Sequence, residues 1–356
     1  MNQSHCDKKR RAGKASAKGM ALLLAFAVCG CSAANGSASS STVSTSVQSS
    51  TSSKTALENS QKKDSPVFAE SFASYDENGQ ITITDDLNRT VTFHKPERVA
   101  VLIGSFADEF VSAGGKEQIV AAAHDTFTSF DLGLEDVTDL GDVKSINQES
   151  LLAAKPDLVI ASGKNDSQKD MLEVLENAGI PVLYFDVSSF DDYLSTLKRM
   201  SEITGDQKAY EDNGLAQQEE IEAIAKTPRE ETLRVLALRE TGKGVSALGS
   251  SNSVLGEMLA DLQAENLAGD KGLKTLSMEE IQVQNPDIIL YVAQGKNEEQ
   301  AREMADRLFS QDAWKNLDAV QNGKVYVLDQ KRYNLKPNGK WAQSLKELET
   351  LLYGEE

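Results

Sequence analysis

Two stretches of the sequence decide the fold, NQESLLAAKPDLVI at residues 147–160 and SMEEIQVQNPDIIL at residues 277–290. In each copy a glutamate is followed seven residues later by Pro-Asp and then by an apolar run, and Gly-Lys comes soon afterwards, at 163–164 and at 295–296. A unit that recurs within one chain indicates two structural units of the same kind. We therefore expect two related halves, with a cleft between them as a natural place for a ligand.

Short apolar runs alternate with helical patterns around both copies of the repeat. The runs that predict strands lie at 99–102, 119–123, 158–161 and 182–185 in the first half, and at 233–237, 288–292 and 325–328 in the second. Such runs, separated by helices, are typical of parallel sheets covered by helices. Alternating apolar residues at 80–94 predict a β-hairpin before the first sheet. The predicted fold class is α/β, with two Rossmann-like lobes and mostly parallel central sheets.

The segment between the halves differs from both. Residues 191–204 and 206–226 have apolar residues at helical spacing, and Thr204-Gly205-Asp206 is typical of one helix ending at a glycine and another beginning at an aspartate cap. We expect a long helix here to join the lobes. The predicted domains are an N-terminal lobe at 65–192, a linking helical segment at 193–228 and a C-terminal lobe at 229–356, with the ligand cleft between the lobes.

The first residues form a basic and then apolar segment. Six Lys and Arg residues precede an apolar run at 20–28, which is too short to span a bilayer as a permanent helix. A basic start, a short apolar core and small residues are typical of a secretory signal, and Val-Cys-Gly-Cys at 28–31 resembles a bacterial lipobox. We expect a lipoprotein signal peptide at 1–30 and a lipid on Cys31; an ordinary signal peptide cut nearby is the alternative.

Residues 31–64 are predicted to be a tether. Their first part is almost entirely Ser, Thr, Ala, Gly and Val, which cannot bury enough apolar surface to offset the entropy of ordering. The expected location is therefore the outer face of the cell membrane, and the length of the tether suits a Gram-positive surface. All three cysteines, Cys6, Cys29 and Cys31, precede the folded part, which excludes disulfides, thiol nucleophiles and cysteine-bound metals there.

Charge and motifs exclude several classes of function. The formal net charge of −18 argues against a nucleic-acid partner, because phosphate recognition needs clustered Lys and Arg. The sequence has no G-x-S-x-G, Walker A or H-E-x-x-H motif, and the folded part has no cysteine nucleophile. We therefore expect a protein that is not an enzyme and that holds no cofactor.

From about Gln80 to Tyr353, the chain resembles the class III substrate-binding proteins of ABC importers, the bilobal receptors for ferric siderophores, haem and vitamin B12. The motifs that carry the resemblance are PERVA at 96–100, KPDLV at 155–159, AGIPV at 178–182, GSSNSVLGEM at 249–258, NPD at 285–287 and AVQNGKV at 319–325. The resemblance implies two rigid lobes that close slightly on a small-molecule iron complex and then dock on a permease dimer. We expect the protein itself to be a monomer.

In this family, one glutamate of each lobe pairs with arginines of the permease. By position in the repeat, the resemblance assigns this docking role to Glu149 and Glu279. A local role is also open, because each carboxylate lies in the first turn of a predicted helix, where it meets the positive end of the helix dipole. Ser277 and Glu280 also match the pattern of a capping box.

Ligands of open α/β sheets bind outside the carboxyl ends of the strands. This rule nominates ligand-binding residues at the ends of predicted strands: Ser105, Phe106, His124, Lys164, Arg239, Ser251, Arg332 and Tyr333. Arg239 is the most informative, because a planar guanidinium there could bind a carboxylate or catecholate bidentately; an ordinary surface ion pair is the alternative. Phe106 and Tyr333 could stack on a flat ligand or pack in the core.

The ligand itself has several possible identities. A ferric siderophore-type chelate is the leading expectation, with haem or a cobalamin-like corrinoid as the alternative. His124 or Tyr333 could be an axial ligand of a haem iron. A direct zinc or manganese site is disfavoured, because such a site needs several convergent ligands and only one histidine lies near the predicted cleft. A surface interaction module without a transport role is a further alternative.

Overall fold

The computed structural model describes residues 71–275, 277–335 and 338–354. They fall within one compact unit, Asp64–Glu356, and the other unit, Met1–Lys63, contains none of them. The predicted signal peptide at 1–30, Cys31 and the tether at 31–64 therefore lie outside the described residues. Within the described part, no helix has both the length and the apolar character needed to cross a membrane.

The described chain begins with the predicted hairpin, formed by the antiparallel strands β1 (Gln80–Thr84) and β2 (Thr90–His94). Its turn is fastened to the first lobe by two aspartates. The buried carboxylate of Asp85 accepts hydrogen bonds from the backbone amides of Leu87 and Arg89 within the turn, and from the amide of Tyr184 on β7 of the first lobe at 3.3 Å. Asp86 accepts the amide of Asp186 at 2.7 Å, and an ion pair with Arg199 at 2.6 Å holds it further.

The first lobe is a five-stranded parallel sheet with the strand order β5-β4-β3-β6-β7. Its strands are β3 (Val99–Val101), β4 (Ile119–Ala122), β5 (Thr138–Asp139), β6 (Leu158–Ser162) and β7 (Val182–Phe185). Its helices are α1 (Gly104–Ser112), α2 (Asp125–Ser129), α3 (Gln148–Ala153), α4 (Asp166–Lys169) and α5 (Leu172–Asn177). Strands β6 and β7 are wholly buried, as expected for a parallel sheet covered on both faces.

Helices link the lobes, as the sequence predicts. The longest is α6 (Phe190–Thr204), followed by α7 (Gln207–Tyr210), a π-helical turn at Glu211–Leu215 and α8 (Ala216–Ala225). Helix α6 ends at Gly205 with φ 78°, and the side chain of Asp206 caps α7, which confirms the interpretation of Thr204-Gly205-Asp206. The π turn contains Gly214, which packs closely against α6. A Cβ at this position would lie 2.9 Å from the Leu194 side chain.

The second lobe has its own sheet, with the parallel order β10-β8-β11-β12 and β9 antiparallel to β8. Its strands are β8 (Arg234–Thr241), β9 (Gly244–Ala247), β10 (Glu265–Asn266), β11 (Ile288–Ala293) and β12 (Val325–Val327). Its helices are α9 (Val254–Asp261), α10 (Met278–Gln284), α11 (Glu298–Phe309), α12 (Asp318–Gln321), α13 (Gln330–Tyr333) and α14 (Trp341–Tyr353). The described strands thus form two separate α/β lobes, which confirms the predicted fold class.

The two copies of the repeat have the same local structure. Helix α3 begins after the cap residue Asn147, and α10 begins after the cap residue Ser277. Ser277 accepts the Glu280 amide at 3.3 Å, which is one half of the predicted capping box. In each copy, the chain leaves the helix at a residue with left-handed backbone angles, which is Lys155 with φ 48° in the first copy and Asn285 with φ 42° in the second.

The aspartate of each Pro-Asp pair fixes the entry into a central strand. In the first lobe, the Asp157 carboxylate accepts the amides of Glu97 and Arg98, both at 2.9 Å, just before β3 begins. In the second lobe, Asp287 accepts the amide of Arg234, the first residue of β8, at 2.8 Å. The repeated sequence therefore produces the same hydrogen bonds in both lobes, and these bonds align the neighbouring central strands.

The first turn of α6 joins this helix to the second lobe. Ser189 and Asp192 form a capping box at the start of α6. The carboxylate of Glu257, on α9, accepts the amide of Phe190 at 3.0 Å. The Phe190 ring lies 5.8 Å from the ring of Trp341 on α14. Polar and apolar contacts therefore join the linking helix to two helices of the second lobe.

Burial at this junction raises the pKa of two carboxyl groups on α9. Glu257 and Asp261 lie one turn apart on α9, and burial raises the pKa of each carboxyl to about 7. The carboxylates of Asp191 and Asp192, on α6, act in the same direction on Glu257, and Asp191 does so on Asp261. The junction therefore brings acidic groups together, and protonation relieves their repulsion.

We expect stability to fall between about pH 5 and pH 8. The pKa of Glu257 and of Asp261 is higher in the folded than in the unfolded chain, so the stability that they contribute is present below about pH 4 and is lost as the pH rises through about 7. In Glu257→Gln/Asp261→Asn, the loss over this range should be smaller, by roughly 1–3 kcal/mol in the free energy of unfolding. Thermal unfolding followed by circular dichroism at each pH measures the difference.

Glu299→Gln, which removes an exposed carboxylate from α11, is the control and should follow the native profile. If the double variant loses stability as steeply as the native chain, Glu257 and Asp261 do not control the pH response of the junction.

Candidate ligand-binding cleft

The strand orders mark one point in each lobe where successive connections leave the sheet in opposite directions. In the first lobe it lies between β3 and β6, and in the second between β8 and β11. Ligands of such sheets bind outside the carboxyl ends of the strands at this switch point. In the first lobe, Ser105 lies in the first turn of α1, directly after β3, and Lys164 follows β6. In the second lobe, Arg239 lies in the last part of β8, and residues 294–296 follow β11.

Ser105 follows β3 and lies next to Gly104, whose amide contacts the start of α2. Both carboxylate oxygens of Asp125 lie 3.0 Å from the amide nitrogen of Gly104, and burial raises the pKa of Asp125. This contact ties α2 to the start of α1. The Ser105 hydroxyl is buried and has no hydrogen-bond partner among the described residues. Because buried polar groups are nearly always paired, this hydroxyl is a candidate to bind a ligand.

His124 and Lys164 lie at the same edge of the first sheet and already have acidic partners. The imidazole of His124 is 57% exposed, and its Nδ1 lies 2.6 Å from Asp139, a hydrogen bond that raises the pKa of His124. Lys164 forms an ion pair with Asp186 at 2.7 Å and donates to the Ser188 hydroxyl at 2.6 Å. The imidazole is oriented but accessible, whereas the lysine charge is neutralised.

Two predicted aromatic contacts are core side chains in this structure. Phe106 is 0% exposed and packs edge-on against Phe185, with the ring centres 6.1 Å apart. Tyr333 is 5% exposed, and its hydroxyl donates to the carbonyl of Ser344 at 3.0 Å. Neither ring has surface to stack on a ligand in this conformation, and the Tyr333 hydroxyl is not open to a haem iron.

Ser251 and Arg332 are also engaged within the protein. The Ser251 hydroxyl donates to the carbonyl of Asp270 at 2.8 Å, which binds the 249–253 loop to its neighbour. The loop is tightly packed, since a Cβ on Gly256 would lie 1.9 Å from the carbonyl oxygen of Gly249. Arg332 pairs with Glu347 at 2.5 Å, although its Nη2 is buried without a hydrogen-bond partner among the described residues.

Arg239 has the position that the sequence predicts, near the carboxyl end of β8. Its Nε is buried without a hydrogen-bond partner, and the described residues provide no ion-pair partner for its guanidinium. Side chains alternate along a strand. Val235 and Ala237 belong to the core that runs through both lobes, whereas Leu236 and Leu238 belong to the core of the second lobe alone. Arg239 therefore continues the face that is directed to the shared core.

Two cavities lie at the carboxyl edge of the second sheet. One of about 430 Å³ lies beside the ends of β11 and β12 and is lined partly by Asp329, Gln330 and Lys331. The other, of about 600 Å³, lies beside the ends of β8 and β11 and includes Glu240. Lys296 lines both cavities. Both have volumes typical of small-molecule sites, and Lys296, in the Gly-Lys of the repeat, is a further candidate site residue.

The two candidate docking residues are exposed at equivalent positions. Glu149 lies in the first turn of α3, and Glu279 lies in the first turn of α10. On both helices the next buried residue faces the lobe, Leu151 in one and Ile281 in the other, so the glutamates face solvent. Both roles considered for them, interaction with the positive end of the helix dipole and docking, are compatible with this placement.

A family model described as periplasmic binding protein matches residues 99–332, well over half of the chain. The chain belongs to this family. It is a substrate-binding protein of the class III ABC-importer type, as the motifs predicted, and proteins of this family act outside the cytoplasm. Its relatives are binding proteins of transporters and not enzymes, which agrees with the expectation from the sequence.

Several binding proteins are similar over most of the chain. The molybdate-binding protein MolA of Haemophilus influenzae is 25% identical over 275 residues, which cover 70% of this chain and 74% of MolA. The Fe(3+)-citrate-binding protein YfmC of Bacillus subtilis is 26% identical over 258 residues, covering 69% of this chain and 78% of YfmC. The crystal structure of the petrobactin-binding protein YclQ from Bacillus subtilis matches with a TM-score of 0.63 at 20% identity, covering 78% of this chain and 99% of YclQ.

Proposed function

We propose that this binding protein is a lipid-anchored receptor that captures a ferric siderophore-type chelate in its cleft and delivers it to the permease of an ABC importer. The observation that carries the proposal is Arg239, near the carboxyl end of β8, whose buried Nε has no hydrogen-bond partner among the described residues. Arg239, Lys296 and Lys331 have no ion-pair partner among the described residues, although the chain has 55 acidic residues against 37 basic ones. Cations left unpaired in so acidic a protein favour an anionic ligand.

Iron chelates suit this edge because the hard oxygen donors that bind Fe(III) usually leave the complex with negative charge. A guanidinium can bind two such oxygens at once, and Arg239 also has a buried Nε free to donate among the described residues. The names of YfmC and YclQ, for ferric citrate and petrobactin, support the same class of ligand. The name of MolA, for molybdate, supports an anion without iron.

Haem is the second candidate, and the environment of His124 favours it. A histidine that binds a metal usually has its other ring nitrogen held by a carboxylate or carbonyl. Asp139 holds Nδ1 of His124 in this way, and the imidazole is more than half exposed. His124 could therefore present Nε2 to a haem iron. A corrinoid would bind in the same cleft, and its absorbance would identify it.

Membrane attachment and docking complete the proposal. A lipid on Cys31 and a tether at 31–64 would keep the lobes near the importer. Glu149 and Glu279 would pair with arginines of the permease dimer, and their equivalent, exposed positions on α3 and α10 support this role.

We expect the full chain to bind a ferric chelate, with quenching of tryptophan fluorescence, and Arg239→Ala to weaken that binding by about 1.5–3 kcal/mol, because a charged hydrogen bond is lost. Titration of both proteins with ferric chelates, molybdate, haemin and cobalamin measures the affinities. Arg234→Ala, at the opposite end of β8, is the matched control and should leave them unchanged.

Two outcomes of this titration would count against the proposal. A Soret band or a corrinoid spectrum in the purified protein, with no binding of ferric chelates, would establish one of the alternative ligands. If neither a ferric complex nor haem nor cobalamin changes the fluorescence or the Tm, the assignment as an iron-complex receptor is wrong.

Glu149→Ala/Glu279→Ala should leave the affinity for the ligand intact and stop uptake, because both carboxylates are exposed and neither lines the two cavities of the second lobe. Ligand titration and uptake of iron-55 chelate by cells carrying the importer separate the two functions. Glu173→Ala/Glu299→Ala is the matched control, since it removes an exposed first-turn carboxylate from one helix of each lobe. Uptake lost equally in both double variants would indicate a general effect of charge.

A further inference from the structure

Exposed apolar side chains at the edge of the first lobe indicate which kind of ligand the cleft accepts. In the described part of the chain, the large exposed hydrophobic residues are Leu87, Phe127, Leu152, Val174 and Val283. Two of these, Leu87 and Phe127, lie at the carboxyl edge of the first sheet. Single exposed apolar residues are common, but two at a predicted binding edge call for an explanation.

Leu87 is at the tip of the β1–β2 hairpin and lies against the loop that follows β6. A Cβ placed on Gly163 would be 3.3 Å from the Leu87 side chain. The turn is not free to move this side chain away, because Asp85 accepts the Leu87 amide at 3.0 Å and Asp86 accepts the amide of Asp186. Leu87 remains 39% exposed on this fixed turn. A rigid support that leaves an apolar side chain exposed is typical of a binding surface.

Phe127 lies on α2, which follows β4, and is 38% exposed. Helix α2 is fastened to the loop after β3 by the contact of Asp125 with the Gly104 amide. Strands β4 and β6 are the two neighbours of β3 in the sheet. Phe127 follows β4 and Leu87 lies against the loop after β6, so the two side chains lie on either side of Ser105. The switch point of the first lobe therefore has an apolar side chain on each flank.

Charge is distributed differently at the two edges. Lys164, the cation of the first lobe's switch point, is neutralised by Asp186 at 2.7 Å. In the second lobe, neither Arg239 nor Lys296 has an ion-pair partner among the described residues. The cation of the first lobe is therefore paired, whereas Arg239 and Lys296 of the second lobe are unpaired among the described residues, beside cavities that also contain carboxylates.

We propose that the ligand is an amphipathic anion, with an aryl or other apolar face on Leu87 and Phe127 and with its anionic groups directed to Arg239 and Lys296. The inference rests on the proposed function and narrows its ligand class. Both an aryl-bearing ferric chelate and haem have this chemistry, whereas molybdate and ferric citrate lack an apolar face.

The test is isothermal titration of the full chain with four probes: molybdate, ferric citrate, the ferric complex of 2,3-dihydroxybenzoate, and haemin. We expect the dihydroxybenzoate complex or haemin to bind at least tenfold more tightly than ferric citrate, and the tighter of the two identifies the source of the apolar face. Ferric citrate binding as tightly as either would overturn this inference and leave the iron receptor intact. If no probe binds, both the inference and the proposed function are wrong.

Variants test whether the two side chains make the contact. Leu87→Ser and Phe127→Ser should each weaken the preferred probe about tenfold and change the affinity for ferric citrate less than twofold. Val174→Ser, equally exposed on α5, should change neither, and unchanged melting temperatures confirm folding. Equal losses for both probes would show that Leu87 and Phe127 support the fold and do not contact the apolar face. No loss for either probe would also overturn the inference.

Discussion

The apolar core that runs through both lobes constrains the rest of the structure. One hydrophobic cluster includes residues of the first sheet, the linking helices, the second sheet and α14, whereas two smaller clusters belong to one lobe each. The cluster includes Phe190 and Trp341, whose rings lie 5.8 Å apart, beside the hydrogen bond from the Phe190 amide to Glu257. Separating the lobes would expose this surface, so the two strand edges are held in a restricted relation. When the binding surfaces are already held in place, less of the free energy of ligand binding is offset by ordering of the protein.

Within each lobe, the aspartate of the repeat fixes the start of a central strand by hydrogen bonds. The carboxylates of Asp157 and Asp287 bind the amides at the start of β3 and β8, the strands that flank the two switch points. The left-handed residues before them, Lys155 and Asn285, turn the chain so that Pro-Asp can reach those amides. The same sequence element thus fixes the amino end of a central strand in each lobe, which is why the repeat predicts two lobes of the same kind.

The positions of helices and strands, which depend on local sequence, could be predicted. The directions of individual side chains, which depend on burial, were harder to predict. The hairpin, most central strands and the break at Gly205 follow from periodicity and caps, and the structure confirms them. Strand β9 went unpredicted, although Thr-Gly-Lys-Gly at 241–244 is a turn signal that could have indicated it. The rule for strand ends gives an edge of the sheet but not the direction of a side chain. Phe106 and Phe110 share one face of α1 at helical spacing, and that pattern already favoured the core for Phe106.

The two lobes share the local structure of the repeat but differ in the side chains near their Gly-Lys pairs. Each repeat is followed by Gly-Lys, and each lysine comes after a central strand. In the first lobe, Asp186 neutralises Lys164, and the hairpin tip adds an apolar side chain beside it. In the second lobe, Lys296 has no such acid among the described residues and lines two cavities. Since both repeats make equivalent hydrogen bonds to a central strand, the difference in charge arises from the side chains around each lysine. A ligand with distinct polar and apolar faces, as proposed above, would fit this difference.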